Sequence, residues 1–480
     1  MINASTINLL LKSVLFAFTV AFFSTAIGVI AGFSIYKFKT RFRNFFKIVL
    51  LIPLFIPPYV FAVAWKDFLF HFTGNSDLLA SFWGAAFVLV TVYSPLSILI
   101  IGTALSNINS AYEESVMLIT GLRGVILKIV LPLIKPALLT SFVLVFIFAL
   151  SEFSVPVYFG VKVFTTEIFT QFSAFYNYSL AISQSILLAL ICVALLFTER
   201  KYIADAPFFS VESKGQNRRF YNSQKLKFYG GIFLTALFLI FVIAPFVILI
   251  IQSFSNGTAK FTQALNLLLP TFWNSISLAF SGALLITAIG ASFAYHSWKR
   301  KGNLISKSAE LFFLLTFALP SIVTGIILIK IFNRPSLNFI YSSSAIILLG
   351  YVLRFSFVAI KLSENAIKQI PRSLEEVAII EGIPFRSRLR KIIFPLLLPS
   401  LFAAFTIGFI FSMSELSVTI TVFPPGMEVL PVKVFTLMAN SSQALASSMN
   451  LIVFILTLII ISVFYFLAKP VFKKFNFTND

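Results

Sequence analysis

The sequence is poor in the residues that build metal and disulfide sites. It has one cysteine, Cys192, and two histidines, His71 and His296, in 480 residues. A single cysteine cannot form a disulfide framework or a thiolate metal site within the chain. The two histidines are far apart in the sequence and fall at the edges of apolar runs, where they are expected to be interfacial. The sequence therefore indicates no metal site.

Two catalytic patterns are also missing. The phosphate-binding pattern G-x-x-x-x-G-K-[ST] of ATPases does not occur in the chain. Nor does the sequence suggest a Ser-His-Asp arrangement. We therefore expect that the chain is not an enzyme, that it binds no cofactor, and that any ATP hydrolysis coupled to it takes place on a separate subunit.

Charged residues are scarce, and long apolar runs take their place. Only 11% of the residues are charged, 59% are hydrophobic, and the mean hydropathy is +0.97. Runs of about 20 apolar residues have the length of a helix that crosses the hydrocarbon core, and a helix satisfies its own backbone there. The sequence predicts an all-α polytopic membrane protein with about eleven spans. Their approximate limits are 8–36, 46–70, 82–105, 134–158, 179–199, 228–253, 271–297, 308–332, 342–362, 396–420 and 449–469.

Basic residues outnumber acidic residues, 37 against 17, but they are not arranged as a nucleic-acid-binding surface. They cluster just beyond the ends of apolar runs, in alternate loops, as the positive-inside rule describes. This distribution predicts a cytoplasmic C-terminus and, with an odd number of spans, an N-terminus outside. It indicates a lipid bilayer as the partner and no nucleic acid. The clusters are Lys37, Lys39, Arg41 and Arg43; Arg200 and Lys201; Arg218 and Arg219; Lys299, Arg300 and Lys301; Arg386, Arg388, Arg390 and Lys391; and Lys473 and Lys474.

The two halves of the chain resemble each other. A shift of 263 residues lays PLIKPALLTSFVLVFIFALSEFSV, from Pro132, on PLLLPSLFAAFTIGFIFSMSELSV, from Pro395, without a gap. Nearer the start of each half, a shift of 262 residues lays Pro58 on Pro320. Such a duplication is typical of transporters, and both copies are predicted to run the same way across the membrane. The predicted units are a first repeat of about five spans, a cytoplasmic linker and a second repeat of about six spans, at 1–200, 201–227 and 228–480.

A charged segment, LEEVAIIEGIPFRSRLRKIIFP, interrupts the second repeat between two spans. Residues 374–381 predict a short helix, with Ser373 as its N-cap and Glu376 at the capping-box spacing. Gly382 can take a left-handed turn that other residues avoid. A basic helix then leads to Pro395, which suits the first turn of the next span. The sequence therefore predicts a helical elbow that is joined directly to a membrane helix.

This second elbow resembles the EAA loop of permeases from ATP-binding-cassette (ABC) importers. The shared pattern is a Glu, two small residues, a Gly, an aliphatic residue and a Pro at fixed spacing, with one small residue replaced by valine here. In that family the loop docks in a groove of the ATPase subunit. The resemblance therefore implies that this elbow couples the chain to an ATPase. The residues concerned are Glu375, Glu376, Val377, Ala378, Gly382, Ile392 and Pro395.

The corresponding first elbow, YEESVMLITGLRGVILKIVLP, fits the pattern less well. When it is aligned on Pro132, Glu113 takes the Glu position, next to Glu114, but Ile119 falls where the Gly should be. Gly121 comes two residues later. Either the turn is shifted to Gly121 or this half docks differently. The same coupling role is implied for Glu113, Glu114, Gly121 and Pro132.

Along its whole length the chain resembles fused two-domain permeases of the ferric-iron type, which are close relatives of thiamine permeases. Many of these relatives have twelve spans, whereas this chain begins at what would be their second span, so its number of spans is expected to be eleven or twelve. The segments that carry the resemblance are SEFSVPVYFG (151–160), TTEIFTQFSAFYNYSLA (165–181), IPRSLEEVAIIEG (370–382) and SELSVTITVFPPGMEVLPVKVF (414–435).

The resemblance implies the type I ABC importer permease fold in a bacterial inner membrane. It implies a periplasmic or extracellular solute-binding protein and a cytoplasmic ABC ATPase in two copies, with ATP and Mg²⁺ bound on that ATPase. The implied cargo is ferric iron, and the alternatives are thiamine or another small charged solute such as a polyamine or a phosphonate. A secondary transporter is a more distant alternative, because it has no use for an elbow of this spacing.

Two carboxylates fall inside otherwise apolar predicted spans. Glu152 and Glu415 are equivalent in the two repeats, and serines flank each of them. A carboxylate at membrane depth usually faces a cavity or a partner. One hypothesis is that Ser151, Glu152, Ser414 and Glu415 line the outer end of the translocation pathway, as a gate or as oxygen ligands of a hard cation such as Fe³⁺. The alternative is a structural hydrogen bond to a neighbouring helix, or docking of the binding protein.

Overall fold

The computed structural model describes residues 4–38, 40–204, 220–221, 223–255, 257–299 and 304–474. Within these ranges the chain is helical, and the only β-type pairing is an isolated bridge between Phe38 and Tyr221. The predicted all-α class is confirmed. Most of the predicted linker, and part of the predicted basic clusters, lie outside the described residues. These are the linker residues 205–219 and 222, together with Lys39, Arg300 and Lys301.

Ten α-helices form the described part of the first half. Two of them begin at side-chain caps, where Ser81 Oγ accepts a hydrogen bond from Gly84 N and Asn109 Oδ1 accepts one from Ala111 N. A π-helical turn joins α6 to α7 without a break. The helices are α1 Ala4–Tyr36, α2 Arg43–Val49, α3 Ile52–Phe55, α4 Pro58–Thr73, α5 Phe82–Ser106, α6 Ser110–Val125, α7 Leu131–Ser151, α8 Ser154–Tyr158, α9 Phe164–Ser173 and α10 Tyr178–Ala204.

The second half repeats this order after one additional long helix, α11 with α12. Short π-helical turns join α11 to α12 and α19 to α20. The helices are α11 Gln224–Phe238, α12 Ala244–Ser253, α13 Ala259–Lys299, α14 Leu304–Ala318, α15 Ser321–Phe332, α16 Asn338–Tyr341, α17 Ala345–Lys368, α18 Arg372–Ile380, α19 Phe385–Arg388, α20 Phe394–Ser414, α21 Ser417–Val422, α22 Leu430–Met438 and α23 Gln443–Lys474.

When each bent pair is counted as one span, eleven segments of the described chain are long and apolar enough to cross a membrane, which is the predicted number. In the described part of the chain, nine are single helices and two are bent pairs. The predicted spans at 46–70 and 308–332 are each a pair of helices, and the two pairs bend by 99° and 114°. The bends lie at Pro57 and Pro320, whose backbone is extended. Proline has no N–H to donate and disfavours helix in the residue before it, so each helix stops there and a new one starts.

The predicted fourth and tenth spans are also interrupted. Helix α7 ends at Ser151 and α20 ends at Ser414, and the glutamate that follows each serine is extended, with ψ 132° at Glu152 and 113° at Glu415. A short helix, α8 or α21, then begins two or three residues later. Both glutamates therefore lie within the predicted spans 134–158 and 396–420, each at a break in its helix.

The repeat predicted from the sequence is visible in the packing of α1 and α13. A Cβ added at Gly28 would lie 2.5 Å from Ser97 Cβ, and one added at Gly290 would lie 2.7 Å from the carbonyl carbon of Ala359. Both members of the second contact are 262 residues beyond those of the first. Only glycine lets these helices approach so closely, and both halves use it at the same place.

The two halves pack tightly against each other. Phe148 of the first half meets Phe317 of the second edge-on, with ring centroids 5.6 Å apart. Tyr59 and Phe153 of the first half both contact the ring of Phe435, at 6.1 and 5.7 Å. The halves therefore share one buried core rather than two separate ones.

Helix α11 belongs to the second half in sequence but packs on the first. Its buried residues Leu234 and Leu237 join a cluster with Ala31, Ile35 and Phe46 of α1 and α2. The segment that leads into the second half therefore lies against the first half.

Candidate functional site

The second elbow has the predicted form. Helix α18 ends next to Gly382, whose φ of +69° gives the left-handed turn, and α19 then leads through a π-helical turn into α20. Pro395 occupies the first turn of α20, as predicted. One detail is wrong: α18 begins at Arg372 with Pro371 at the N-cap position, so Ser373 does not cap it. The fixed φ of proline is compatible with this position, although it offers no capping side chain.

Two adjacent glutamates of the second elbow face opposite ways. Glu375 is buried; its Oε1 accepts a hydrogen bond from the Tyr295 hydroxyl at 2.8 Å and lies 3.8 Å from Arg388 Nε. Glu376 is exposed, although it takes the Glu position of the sequence pattern. Ala378 is buried beside Glu375 on the inner face. Glu375 therefore anchors the elbow, and Glu376 is available to a partner.

Large apolar side chains share the outer face of the second elbow with Glu376. Ile380 is 82% exposed, and its neighbours Leu374, Val377 and Ile379 are also exposed. A contiguous apolar surface beyond the end of a membrane helix is typical of a contact site for another protein.

The first elbow turns at Gly121. Its φ of +67° and ψ of −174° break the helical conformation there, with helical residues on both sides. Ile119, which the alignment places at the turn, is instead helical and exposed. Of the two interpretations of this elbow, the shifted turn is the one found. Pro132 lies in the first turn of α7, as Pro395 does in α20.

The buried glutamate of the first elbow is Glu113. Its Oε1 lies 2.7 Å from Lys37 Nζ and accepts a hydrogen bond from the Tyr221 hydroxyl at 2.7 Å. Glu114 next to it is exposed. By burial, then, Glu113 corresponds to Glu375 and Glu114 to Glu376. Alignment on Pro132 instead pairs Glu113 with Glu376. The two pairings differ by one residue because the segment from the buried glutamate to the proline is one residue longer in the second elbow.

Away from the elbows, residues from both halves surround a cavity of about 120 Å³. The four candidate pathway residues all line it, although they come from the ends of two different helices. The bends after α3 and α14 contribute further lining. The residues that matter here are Ser151, Glu152, Ser414 and Glu415, with Tyr93 and Arg354.

Both glutamates are held by hydrogen bonds at the cavity wall. Glu152 Oε2 accepts a hydrogen bond from the Tyr93 hydroxyl at 3.1 Å, and its Oε1 accepts from Ser154 N at 2.8 Å. Glu415 Oε1 accepts from Val418 N at 3.0 Å. The bond from Tyr93 to Glu152 is a hydrogen bond to a neighbouring helix, as the structural interpretation required. Both glutamates also line a cavity, as the pathway interpretation required.

Arg354 is the cavity residue that the sequence did not single out. It is buried in the middle of α17, and its Nη1 donates hydrogen bonds of 2.6 Å to the carbonyl oxygens of Phe317 and Leu319. These carbonyls lie at the end of α14, where the bend leaves them without partners in the helix. An arginine inside an apolar predicted span was the available signal, since such a residue is costly there and is usually functional or paired.

The donor set of the cavity is oxygen-rich. It comprises two carboxylates, several serine hydroxyls and two tyrosine hydroxyls, together with one guanidinium. Among the described residues there is no group of three or more His, Cys, Asp or Glu side chains that could hold a metal ion. The cavity can therefore offer oxygen ligands to a passing cation without the full set of a resident metal centre.

Comparison with known proteins identifies the family. Residues 24–200 and 286–475 match the model of the binding-protein-dependent transport system inner membrane component. The chain belongs to this family. It is thus a multi-pass inner-membrane permease, and the two matched segments, one in each half, agree with the duplication. A permease of this kind works with a solute-binding protein.

Several similar proteins have names that mention cargo. The ferric transport system permease protein FbpB of Actinobacillus pleuropneumoniae is 25% identical over 425 residues, covering 82% of this chain and 61% of that protein. The Fe(3+)-transport system permease protein FbpB 2 of Haemophilus influenzae is 23% identical over 448 residues, covering 92% and 86%. A putative 2-aminoethylphosphonate permease of Salmonella paratyphi A is 26% identical over 255 residues, covering 51% of this chain and 96% of that protein. The chain thus spans less than two thirds of the first relative's length.

Proposed function

We propose that the permease is the membrane-spanning subunit of an ATP-driven importer and that its cargo is ferric iron, which a solute-binding protein delivers. The observation that carries this proposal is the meeting of Glu152 and Glu415 at one cavity between the halves. Two carboxylates and nearby hydroxyls suit a hard cation, which prefers oxygen ligands. The names of the iron-transport relatives point to the same cargo.

In this proposal the ferric ion binds briefly in the cavity as it crosses the membrane. Glu152 accepts three hydrogen bonds, from the Tyr93 hydroxyl and from Ser154 N and Oγ, and Glu415 accepts one from Val418 N. Both carboxylates therefore keep oxygen lone pairs with which they can bind a cation. Arg354 lies in the same wall and lowers the net negative charge of the cavity. A cation is thus attracted without being held so tightly that it cannot leave, which is the condition for conduction.

The coupling part of the proposal concerns the two elbows. We infer that each elbow docks on one ATPase subunit, so that one permease chain works with two ATPase copies that carry ATP and Mg²⁺. Glu114, Glu376 and the exposed apolar face around Ile380 are the docking surface. Both elbows must face the cytoplasm, and with eleven spans this puts the C-terminus inside and the N-terminus outside.

The direct test is uptake of radiolabelled ferric iron by iron-limited cells that lack the gene, with and without the gene restored. We expect uptake to fall on deletion and to return on restoration. A restored gene that carries Glu152→Gln and Glu415→Gln together is expected to restore less uptake than the wild-type gene. If deletion leaves uptake unchanged in a strain without another ferric importer, the iron assignment is wrong.

A second cargo class has its own support. The 2-aminoethylphosphonate relatives and a spermidine and putrescine permease of Escherichia coli, which is 25% identical over 253 residues, belong to the same set of similar proteins. Thiamine also stays a candidate from the sequence resemblance. Growth of the deletion strain on aminoethylphosphonate as the sole phosphorus source, and uptake of labelled spermidine and thiamine, distinguish these cargoes from iron.

A further inference from the structure

Tyr221 lies in the segment that leads into the second half and is hydrogen-bonded to the first elbow. The backbone N–H of Tyr221 donates to the carbonyl oxygen of Lys37 at 2.8 Å, and its hydroxyl donates to Glu113 Oε1 at 2.7 Å. Lys37 Nζ lies 2.7 Å from the same carboxylate oxygen. All three residues are buried, with at most 2% exposure. A charge-assisted contact that is excluded from water is stronger than one at the surface.

Tyr221 is also close to the first helix of the second half. Helix α11 begins at Gln224, after the N-cap Ser223. The helix then packs so closely on α1 that a Cβ at Gly230 would lie 2.9 Å from Ser34 Oγ. Tyr221 precedes the first residue of α11 by three positions, so the chain joins the residue that bonds Glu113 directly to the start of α11.

The second elbow has an equivalent contact from a different source. Its buried Glu375 accepts a hydrogen bond from Tyr295, which lies in α13 of the same half. The residue 262 positions before Tyr295 is Phe33, which has no hydroxyl, so the two tyrosines do not correspond in the repeat. The same hydroxyl-to-carboxylate contact is therefore made from two unrelated positions.

We propose that Tyr221 and Tyr295 are positioning residues for the coupling of ATP hydrolysis to transport. Each holds the buried glutamate of its elbow, and Tyr221 in addition connects the first elbow to α11. Movement of the first elbow is thus passed to α11, the helix that leads into the second half, whereas movement of the second elbow is passed to α13 of its own half. This proposal rests on the proposed docking of the elbows on an ATPase.

The test compares Tyr221→Phe and Tyr295→Phe with Tyr229→Phe. Tyr229 is an exposed residue of α11, so its variant is a matched control. Each variant is purified with its ATPase in lipid nanodiscs, and hydrogen–deuterium exchange is measured with and without ATP and orthovanadate. In the wild type and in Tyr229→Phe, we expect ATP with orthovanadate to change hydrogen–deuterium exchange both in the first elbow and in residues 224–238. In Tyr221→Phe we expect the change to persist in the elbow and to be lost in 224–238, because the variant lacks the hydroxyl that donates to Glu113.

A second readout separates positioning from simple stabilisation. The ratio of ferric iron taken up to ATP hydrolysed is expected to fall in Tyr221→Phe and Tyr295→Phe, while the amount of assembled complex stays near that of the control. A lower amount of complex with an unchanged ratio would mean a merely structural role and would overturn the proposal. An unchanged exchange response of 224–238 in Tyr221→Phe would overturn the connection to α11.

The outcome in the wild type keeps the two proposals apart. If the wild-type chain binds no ATPase, or if its hydrogen–deuterium exchange does not respond to nucleotide, the proposed function is wrong and this inference is wrong as well. If the wild type responds and the tyrosine variants respond in the same way, the inference alone is wrong.

Discussion

Ser414 Oγ donates a hydrogen bond of 3.0 Å to the carbonyl oxygen of Phe55, which ties the end of α20 in the second half to the bent span of the first. The carbonyl 262 residues further on, that of Phe317, is bound by Arg354 instead. Backbone carbonyls that a bend frees at membrane depth need partners, because lipid offers none. Equivalent backbone carbonyls in the two halves therefore have different donors: the Ser414 hydroxyl binds that of Phe55, and the Arg354 guanidinium binds that of Phe317.

Ser414→Ala tests the contact across the halves. The variant leaves the Phe55 carbonyl without this partner, and we expect it to lower the free energy of unfolding by about 1 kcal/mol. Ser151→Ala is the matched control, because the Ser151 hydroxyl bonds within its own helix, to Ile147 O. Thermal unfolding in detergent measures both. Equal stabilities of the two variants would contradict the inter-half role of Ser414.

Arg354→Met is expected to be more disruptive than Ser414→Ala. It removes two hydrogen bonds from a charged donor and leaves two carbonyls unsatisfied at the bend, a loss of about 3 kcal/mol or more. Arg354→Lys keeps the charge but cannot offer the forked guanidinium geometry, and we expect an intermediate loss. Protein yield and thermal unfolding are the measurements. A fully stable Arg354→Met variant would show that other groups satisfy the bend.

Glu152→Gln combined with Glu415→Gln tests the cavity. Each glutamine keeps the size of the side chain and loses the negative charge, so a cation gains less from entering. We expect ferric iron uptake to fall by about tenfold or more, since each lost charge contact with a cation is worth more than about 1 kcal/mol at low dielectric. Glu167→Gln serves as the control, since Glu167 bonds Gln171 and does not line the cavity. Uptake at the normal rate in the double variant would rule out the pathway role.

Ile380→Asp tests the docking surface of the second elbow. Placing a charge in an apolar contact leaves it desolvated and unpaired, so we expect the variant to lose its ATPase partner during purification. Phe339→Asp is the matched control, because Phe339 is 71% exposed but follows α15, away from the elbows. Co-purification of the ATPase is measured by quantitative immunoblot. Retention of the partner in Ile380→Asp would place the docking surface elsewhere.

Local chemistry explains what could be predicted of the elbows. The residues around Gly382 suit helices, and only glycine adopts a left-handed φ without strain, so the sequence predicts a turn at Gly382, which the structure confirms. The same argument found Gly121 as one of two alternatives. The choice between Glu375 and Glu376 as the buried residue could not be made, because it depends on Tyr295, which lies 80 residues away in the sequence.

The bends show a further limit of the sequence. The sequence shows Pro58 and Pro320 as a repeated feature, but hydropathy gives only the limits of each span and not the bend within it. Whether a proline kinks a membrane helix or ends it depends on what satisfies the freed carbonyls. Those partners are Ser414 and Arg354, and neither is near the bend in sequence.

By itself, the sequence determined the number of spans, the all-α class, the duplication and the place of both elbows. Those features follow from hydropathy, charge and the special backbones of glycine and proline, which act over a few residues. The tertiary structure decided that Glu152 and Glu415 meet at one cavity, that Arg354 joins them, and that Tyr221 reaches Glu113. These contacts join residues far apart in the chain, such as Ser414 and Phe55 at a separation of 359, and only the packing of the two halves brings them together.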